Sequence, residues 1–478
     1  MRRYLALSIP FLVILASTIP ASTQGRAGGA GAQPEQKIIP PEARYWMGAT
    51  TLGGMTALGG GMARGGRPSM SEMMRMAQGG IPTEGHTVEL RLGSTLPPKS
   101  GGPEAFHTMP PGAQVNKPIY LETPEAGRTT GDPEPYRQPK GQITFYWGCG
   151  EKAGPGQPVV LTFDKLVRGE TDPDLKALQG AVAARGVNKP SPGTSKTYGS
   201  WPHGDRAGKN RDLQASFAVP SSLAGPHAVD SNYAPTKIEF TLPGDKTFME
   251  AVRYTTTGAQ PSGSIGLGWN AVSRATGYTV GVMAPEKMGD DSANIVMWTS
   301  SERPATFIMM EDLAPAEVNR LIGLKAVLPP TTTTCAIPAE VVKATKDGSM
   351  LMFTAFGDEA TFIYPQRPAD VATTWDQEWF ARVSFKSTRM DMITTKGVQD
   401  MAAMMGGRGG PGPGSAPAAS SPPESSQSDE EYCKNLEAER AKRAAGGGGG
   451  LGGRFGRLGR LARGQNPNPE APDPRCDK

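Results

Sequence analysis

Four histidines, four cysteines and one aromatic loop are the side chains of this 478-residue chain best suited to chemistry. The histidines are His86, His107, His203 and His227, and no two stand at the spacing of metal ligands on a helix or hairpin. No His-Glu-x-x-His, Walker A or Gly-x-Ser-x-Gly pattern occurs. A Gly-x-Gly-x-x-Gly match occurs only inside glycine tracts, as at Gly407 to Gly412, with no strand before it. Asp164, Asp230 and Glu239 are candidate acids without a paired group nearby in the sequence. The sequence therefore names no catalytic residue, no metal ligand and no cofactor. A His/Asp site assembled from distant segments stays open.

Two further sets of residues suit binding or cross-linking. Val187 to Lys209 is a polar stretch carrying Tyr198, Trp201 and His203. In a loop these residues form either a ligand platform or an aromatic anchor that pins the loop to the body. The cysteines, Cys149, Cys335, Cys433 and Cys476, are even in number and contain no Cys-x-x-Cys, which removes thioredoxin-like and zinc-knuckle chemistry. Of the three possible pairings, Cys149–Cys335 with Cys433–Cys476 is expected, with unpaired thiols as the alternative. Met47, Met55, Met62, Met70, Met73, Met74 and Met76 form a Met-rich run. Thioethers suit Cu(I), though methionine also serves as flexible filler and no His lies within the run.

Charge and targeting narrow the partners. A net charge of +4 is too small for body-wide polyanion binding, so no nucleic-acid partner is expected. Arg454, Arg457, Arg460 and Arg463 recur every third residue among Phe455, Leu458 and Leu461. That unit either touches an anionic membrane surface or is a solvated tail. Arg2-Arg3, the apolar run Tyr4 to Ala16 and a small-residue exit have the form of a secretory signal over residues 1–21, an uncleaved anchor being the alternative. The expected location is outside the cytoplasm, periplasmic or extracellular.

The elements that must position these residues are mostly strands. Val88, Leu90 and Leu92, then Ile143, Phe145 and Trp147, then Ile238, Phe240 and Leu242 each alternate with polar or small residues, the period of a half-buried strand. Residues 172–186 and 316–324 read as short helices, the first opening on Asp172-Pro173. Met350 to Phe356 and Thr361 to Tyr364 read as a hairpin turning at Gly357-Asp358-Glu359. Trp375 and Trp379 read as an i, i+4 pair on a helical turn, for core packing or ligand stacking, and Ala381 to Phe385 as the last strand. The 62 glycines and 45 prolines crowd the two ends, which read as disordered, with a short charged helix in the tail.

One stretch carries a likeness. Ile265, Leu267 and Trp269 alternate, a short link follows, and Ala275-Thr276-Gly277-Tyr278 leads into Val280 and Val282. This resembles the B and C strands of a fibronectin type III domain. Leu313-Ala314-Pro315 is similar to the family's following Leu-x-Pro segment, although Glu317, Val318 and Asn319 stand where a corner Tyr would follow. The resemblance implies an immunoglobulin-like sandwich. The expected architecture is mainly β: a signal at 1–21, a Gly/Met-rich low-complexity segment at 22–84, a β-rich domain at 85–258, a fibronectin type III-like domain at 259–390 and a disordered tail at 391–478. The expected function is an envelope or extracellular binding or structural protein recognising a glycan or a protein. The alternatives are a hydrolase of an envelope polymer and a Met-rich copper-handling protein.

Overall fold

The computed structural model describes residues 36–57, 84–124, 140–162, 184–202, 208–210, 213, 216–289, 292–305, 308, 311–345 and 349–399. The expected helix at 172–186 lies almost wholly outside them. So do His203, Asp164, Cys433, Cys476, Met62 to Met76, the signal segment and the arginine-rich tail.

The first part of the chain forms β1 (Ile38–Ile39), β2 (Ala43–Gly54), β3 (Glu84–Ser94), β4 (Ala105–Thr108), β5 (Ile119–Tyr120), β6 (Lys140–Trp147) and β7 (Val159–Thr162). The middle forms β8 (Thr197–Trp201), β9 (Ser216–Phe217), β10 (Gly225–Ser231), β11 (Ile238–Leu242), β12 (Tyr254–Ala259), β13 (Ile265–Trp269), β14 (Gly277–Gly289) and β15 (Ser292–Thr299). Then come α1 (Pro315–Gly323), β16 (Thr334–Ile337), α2 (Ala339–Thr345), β17 (Ser349–Tyr364), β18 (Trp375–Asp376), β19 (Trp379–Thr394) and β20 (Gly397–Gln399).

The expected mainly-β class holds. The large sheet has the order β7-β6-β15-β14-β17-β19-β2-β3-β8, with β20 on β19 and β9 on β3. Two smaller sheets, β12-β13-β16 and β11-β10-β4-β5, supply further layers. Trp269 of β13 meets Tyr278 of β14 and Phe353 of β17 edge-on, with centroids 5.8 and 5.0 Å away. Tyr45 and Leu90 of the large sheet share one core with Val229, Ile238 and Phe240 of the four-stranded sheet. Strict alternation explains β11, where Ile238, Phe240 and Leu242 are buried and Glu239 and Thr241 exposed.

Four expectations are corrected. First, the low-complexity segment contains β2, an inner strand of the large sheet. β2 pairs parallel to β19 and antiparallel to β3, with Tyr45, Trp46 and Met47 all buried. Its glycines are packing requirements: a Cβ at Gly48 would collide with the Trp46 ring. Second, strands from both sides of residue 258 share the large sheet, and all described residues fall in one compact unit. Third, residues 349–364 are one strand, kinked by a bulge between Phe356 and Glu359. Fourth, Trp375 and Trp379 lie on strands β18 and β19. α1 matches the expected second helix. No helix among the described residues is long and apolar enough to cross a membrane.

Cys149, just past β6, and Cys335, on β16, form a disulfide with Cα atoms 5.2 Å apart, the pairing expected from the sequence. It ties an outer part of the large sheet to the three-stranded sheet. Its closed loop of 186 residues constrains the unfolded chain strongly. Cys149→Ser with Cys335→Ser is expected to lower stability by about 2–4 kcal/mol in urea titrations. Equal midpoints for the oxidised protein and the double variant would refute this.

Candidate ligand groove

The outer face of the large sheet is built from one ladder of side chains. β19 runs parallel to β2 with Phe380 opposite Arg44, Arg382 opposite Trp46 and Ser384 opposite Gly48. On the far side of β2, Arg91 of β3 stands opposite Trp46. The period of two puts Arg44 and Trp46, and likewise Phe380 and Arg382, on this same face. Tyr45, Met47 and Ala381 point into the core behind it.

Trp46 is the floor of the arrangement. Its indole lies over Gly48, and Nε1 donates to Ser384 Oγ at 3.3 Å. The Lys189 ammonium caps the ring 4.3 Å from its centroid, and the Arg91 guanidinium stands at 5.9 Å. Lys189 belongs to the segment following residue 184, which folds over β2 and β3. Asp312 holds that segment in place: its backbone oxygen accepts from Val187 N at 2.7 Å, and its carboxylate takes the Lys189 ammonium. Lys386 of β19 donates to the other carboxylate oxygen at 2.5 Å. Burial raises the Asp312 pKa, but Lys386 and Lys189 outweigh it and hold the carboxyl below its usual range.

Beside Trp46 two depressions of about 290 and 270 Å³ share Pro41, Arg44, Asn188 and Pro190. The first adds Gln377, Phe380 and Arg382; the second adds Glu42, Thr95, Thr194 and Ser195. Arg44 is exposed and has no ion-pair partner among the described residues. Arg382 stacks 5.3 Å from the Phe380 ring and reaches Glu359 only at 3.7 Å, leaving its Nε without a hydrogen bond. The result is a shallow groove with two incompletely used guanidinium groups around one phenyl ring. It holds no nucleophile–base pair, and no cluster of metal-ligating side chains occurs among the described residues.

The sequence-predicted residues lie elsewhere. Tyr198 and Trp201 sit on β8, paired to β3, and are only 6% and 3% exposed. Trp201 packs edge-on to Phe217, so neither ring offers an open face. Asp230 and Glu239 share the exposed Lys237 at 3.7 and 3.0 Å. Trp379 stacks on Tyr364, and Trp375 Nε1 donates to Pro365 O at 2.9 Å. Met47 is core, and Met55 lies half-buried in the turn after β2. Sequence reasoning missed Arg44, Trp46, Phe380 and Arg382. Their signal was the matched pair Arg44-x-Trp46 and Phe380-x-Arg382 on two strands.

Two of the four histidines do meet. Pairing of β10 with β4 sets Val229 opposite His107 and brings in His227. Tyr45 Oη lies 2.5 Å from His107 Nδ1, and His107 Nε2 lies 3.0 Å from His227 Nδ1. His227 Nε2 lies 2.7 Å from Leu223 O. A carbonyl only accepts, so His227 carries its proton on Nε2. His107 then donates from Nε2, and Tyr45 donates to His107 Nδ1. Every polar atom of the two rings is satisfied with both neutral. Phe240 stacks on His227 at 4.9 Å. Burial pushes His227 down to about 4 and His107 well below its usual value, the latter with help from His227. This chain is sealed in the core behind the groove.

The chain matches no family model, no curated protein and no solved structure.

Proposed function

We propose that this is an exported binding protein of the envelope or extracellular space that recognises an acidic glycan through the Arg44–Phe380–Arg382 groove. The carrying observation is the pair of guanidinium groups on adjacent strands, one exposed and unpaired among the described residues, flanking a phenyl ring. Guanidinium suits carboxylate or sulfate bidentately, an aromatic ring face suits the C–H face of a sugar, and Asn188 and Gln377 suit hydroxyls. The disulfide supports export, since such bonds persist in oxidising compartments.

The layering also supports reading residues 254–394 as fibronectin type III-like. In an immunoglobulin-like sandwich, A, B and E neighbour one another in one sheet and C, F and G in the other. β12-β13-β16 fits the first set, β14-β17-β19 the second, and β15 beside β14 fits C′. On this reading β6 and β2 pair parallel to the two outer strands of the C′-C-F-G sheet.

The test is calorimetric titration of the full chain with oligogalacturonate and with a neutral oligosaccharide of equal length. Binding of the acidic sugar alone is expected, weakened at least about tenfold by Arg44→Ala or Arg382→Ala. Equal affinity for both sugars, or variants that bind as the wild type does, would overturn the reading.

A further inference from the structure

We infer that Ser221, His86 and Glu84 form a second, chemically competent site, an acyl-transfer centre acting on small carboxylic esters. It does not depend on the groove. Glu84 and His86 stand two residues apart at the start of β3, and Ser221 follows β9, which pairs with that same end of β3 through His86 opposite Phe217. Ser221 Oγ lies 2.9 Å from His86 Nδ1, and His86 Nε2 lies 3.4 Å from Glu84 Oε1. The imidazole is stacked on Phe248, centroids 4.1 Å apart and 14° from parallel.

Proton placement follows from the partners. Glu84 Oε2 accepts from Arg253 Nη2 at 3.1 Å. The hydrogen bond to His86 and the charge of Arg253 keep Glu84 ionised against the opposing effect of burial. An ionised carboxylate only accepts, so His86 carries its proton on Nε2 and turns the Nδ1 lone pair to the Ser221 hydroxyl. Hydroxyl to imidazole to carboxylate is the relay of a serine hydrolase, with the two ring nitrogens exchanged.

The surroundings hold the serine still. Pro220 O accepts from Gln114 Nε2 at 2.6 Å, Ser222 N donates to Gly112 O at 2.8 Å and Leu223 N to Thr247 Oγ1 at 3.0 Å. The Ser221 N–H has no acceptor among the described residues, which leaves it to bind an oxyanion. Ser221 is 9% exposed beside the exposed Val219, and Phe217 packs against Phe248 at 6.0 Å.

In the first step Oγ attacks the ester carbonyl and its proton passes to His86 Nδ1. The carbon–oxygen bond to the alkoxide then breaks, and the alcohol leaves with that proton. Water attacks the acyl-serine by the same route, releasing the acid and restoring Ser221. Ser221 and His86 are the catalytic residues; Glu84 is a positioning residue.

The probe is a fluorophosphonate on the full chain, where an Oγ–P bond forms as fluoride leaves, read by intact mass and peptide mapping. One adduct at Ser221 is expected, absent in Ser221→Ala. His86→Gln and Glu84→Gln should label at least about a hundredfold more slowly, with Glu84→Asp recovering part of the rate, and 4-nitrophenyl acetate turnover should follow the same order. Near-UV circular dichroism confirms that each variant is folded. No adduct on the wild type, an adduct on another serine, or unchanged labelling in His86→Gln would each overturn the inference.

Discussion

Between pH 6.5 and 4 the protein is expected to lose about 3 kcal/mol of folding stability through His227 alone. In the unfolded chain a histidine titrates near ~6.5. In the folded chain burial pushes His227 down to about 4. As pH falls below the unfolded value, the unfolded chain takes a proton that the folded ring refuses, so folding weakens. The loss levels off below about 4, where the folded ring also protonates. One pKa unit is ~1.4 kcal/mol, which sets the size of the effect. His107, shifted the same way, adds to it. Protonating His227 would also break the chain, since two donors would then face each other across the 3.0 Å His107–His227 contact. Urea titrations at pH 7, 5.5 and 4.5 measure this. His227→Gln keeps an acceptor for His107 and a donor for Leu223 without a titrating group. Its stability should vary distinctly less over the window; a pH profile parallel to that of the wild type would sink the assignment.

Asp312→Asn is the second large effect. The substitution removes the one carboxylate shared by Lys189 and Lys386, leaving two ammonium groups facing an amide. Breaking a buried pair costs about 3–5 kcal/mol. The lysines are 22% and 23% exposed and rehydrate in part, which favours the lower end of that range. The folded carboxyl titrates below its unfolded value, so its contribution is full above pH ~4 and fades as pH falls through the folded value. Acid loss from Asp312 thus begins where loss from His227 ends. The damage should be local as well: freed from Asp312, Lys189 no longer caps Trp46, and the wall of the groove at Asn188 to Pro190 loosens. Hydrogen exchange of Val187 N–H, bonded to Asp312 O, reports this directly. An Asp312→Asn protein as stable as wild type, with unchanged exchange at Val187, would refute the role given to this ion pair.

Legibility in the sequence followed burial on one face or two. β11 buries one face and β13 carries all its large side chains on one face, so Ile238-x-Phe240-x-Leu242 and Ile265-x-Leu267-x-Trp269 betray themselves by alternation. β2 is covered on both sides, by the core against Tyr45 and Met47 and by Lys189 over Trp46. Alternation is lost there, and its close-packed glycines imitate a linker. An even cysteine count pointed to disulfides but left three pairings; the fold supplies Cys149–Cys335. The His107–His227 contact spans 120 residues and exists only because β4 pairs with β10, a fact no local spacing encodes. The same holds for Ser221 and His86, 135 residues apart. Of the two readings of the aromatic stretch, the anchor fits: Thr197 to Trp201 form a strand with the Tyr198 and Trp201 rings buried.

The parallel pairing of β2 with β19 also fixes an order of events. Trp46 and Ser384, bonded across these strands, are 338 residues apart, so β2 leaves the synthesis machinery long before its partner exists. Until then the β2–β3 hairpin carries one bare edge, a row of unpaired amides and carbonyls open to any passing strand. Strands β13 to β19 are connected mostly locally, whereas the β2–β19 pairing joins residues 338 apart, the kind of contact that topology makes slow to form. Covering this edge therefore depends on the last long strand of the sheet, and a chain interrupted before β19 keeps the exposed edge for its lifetime.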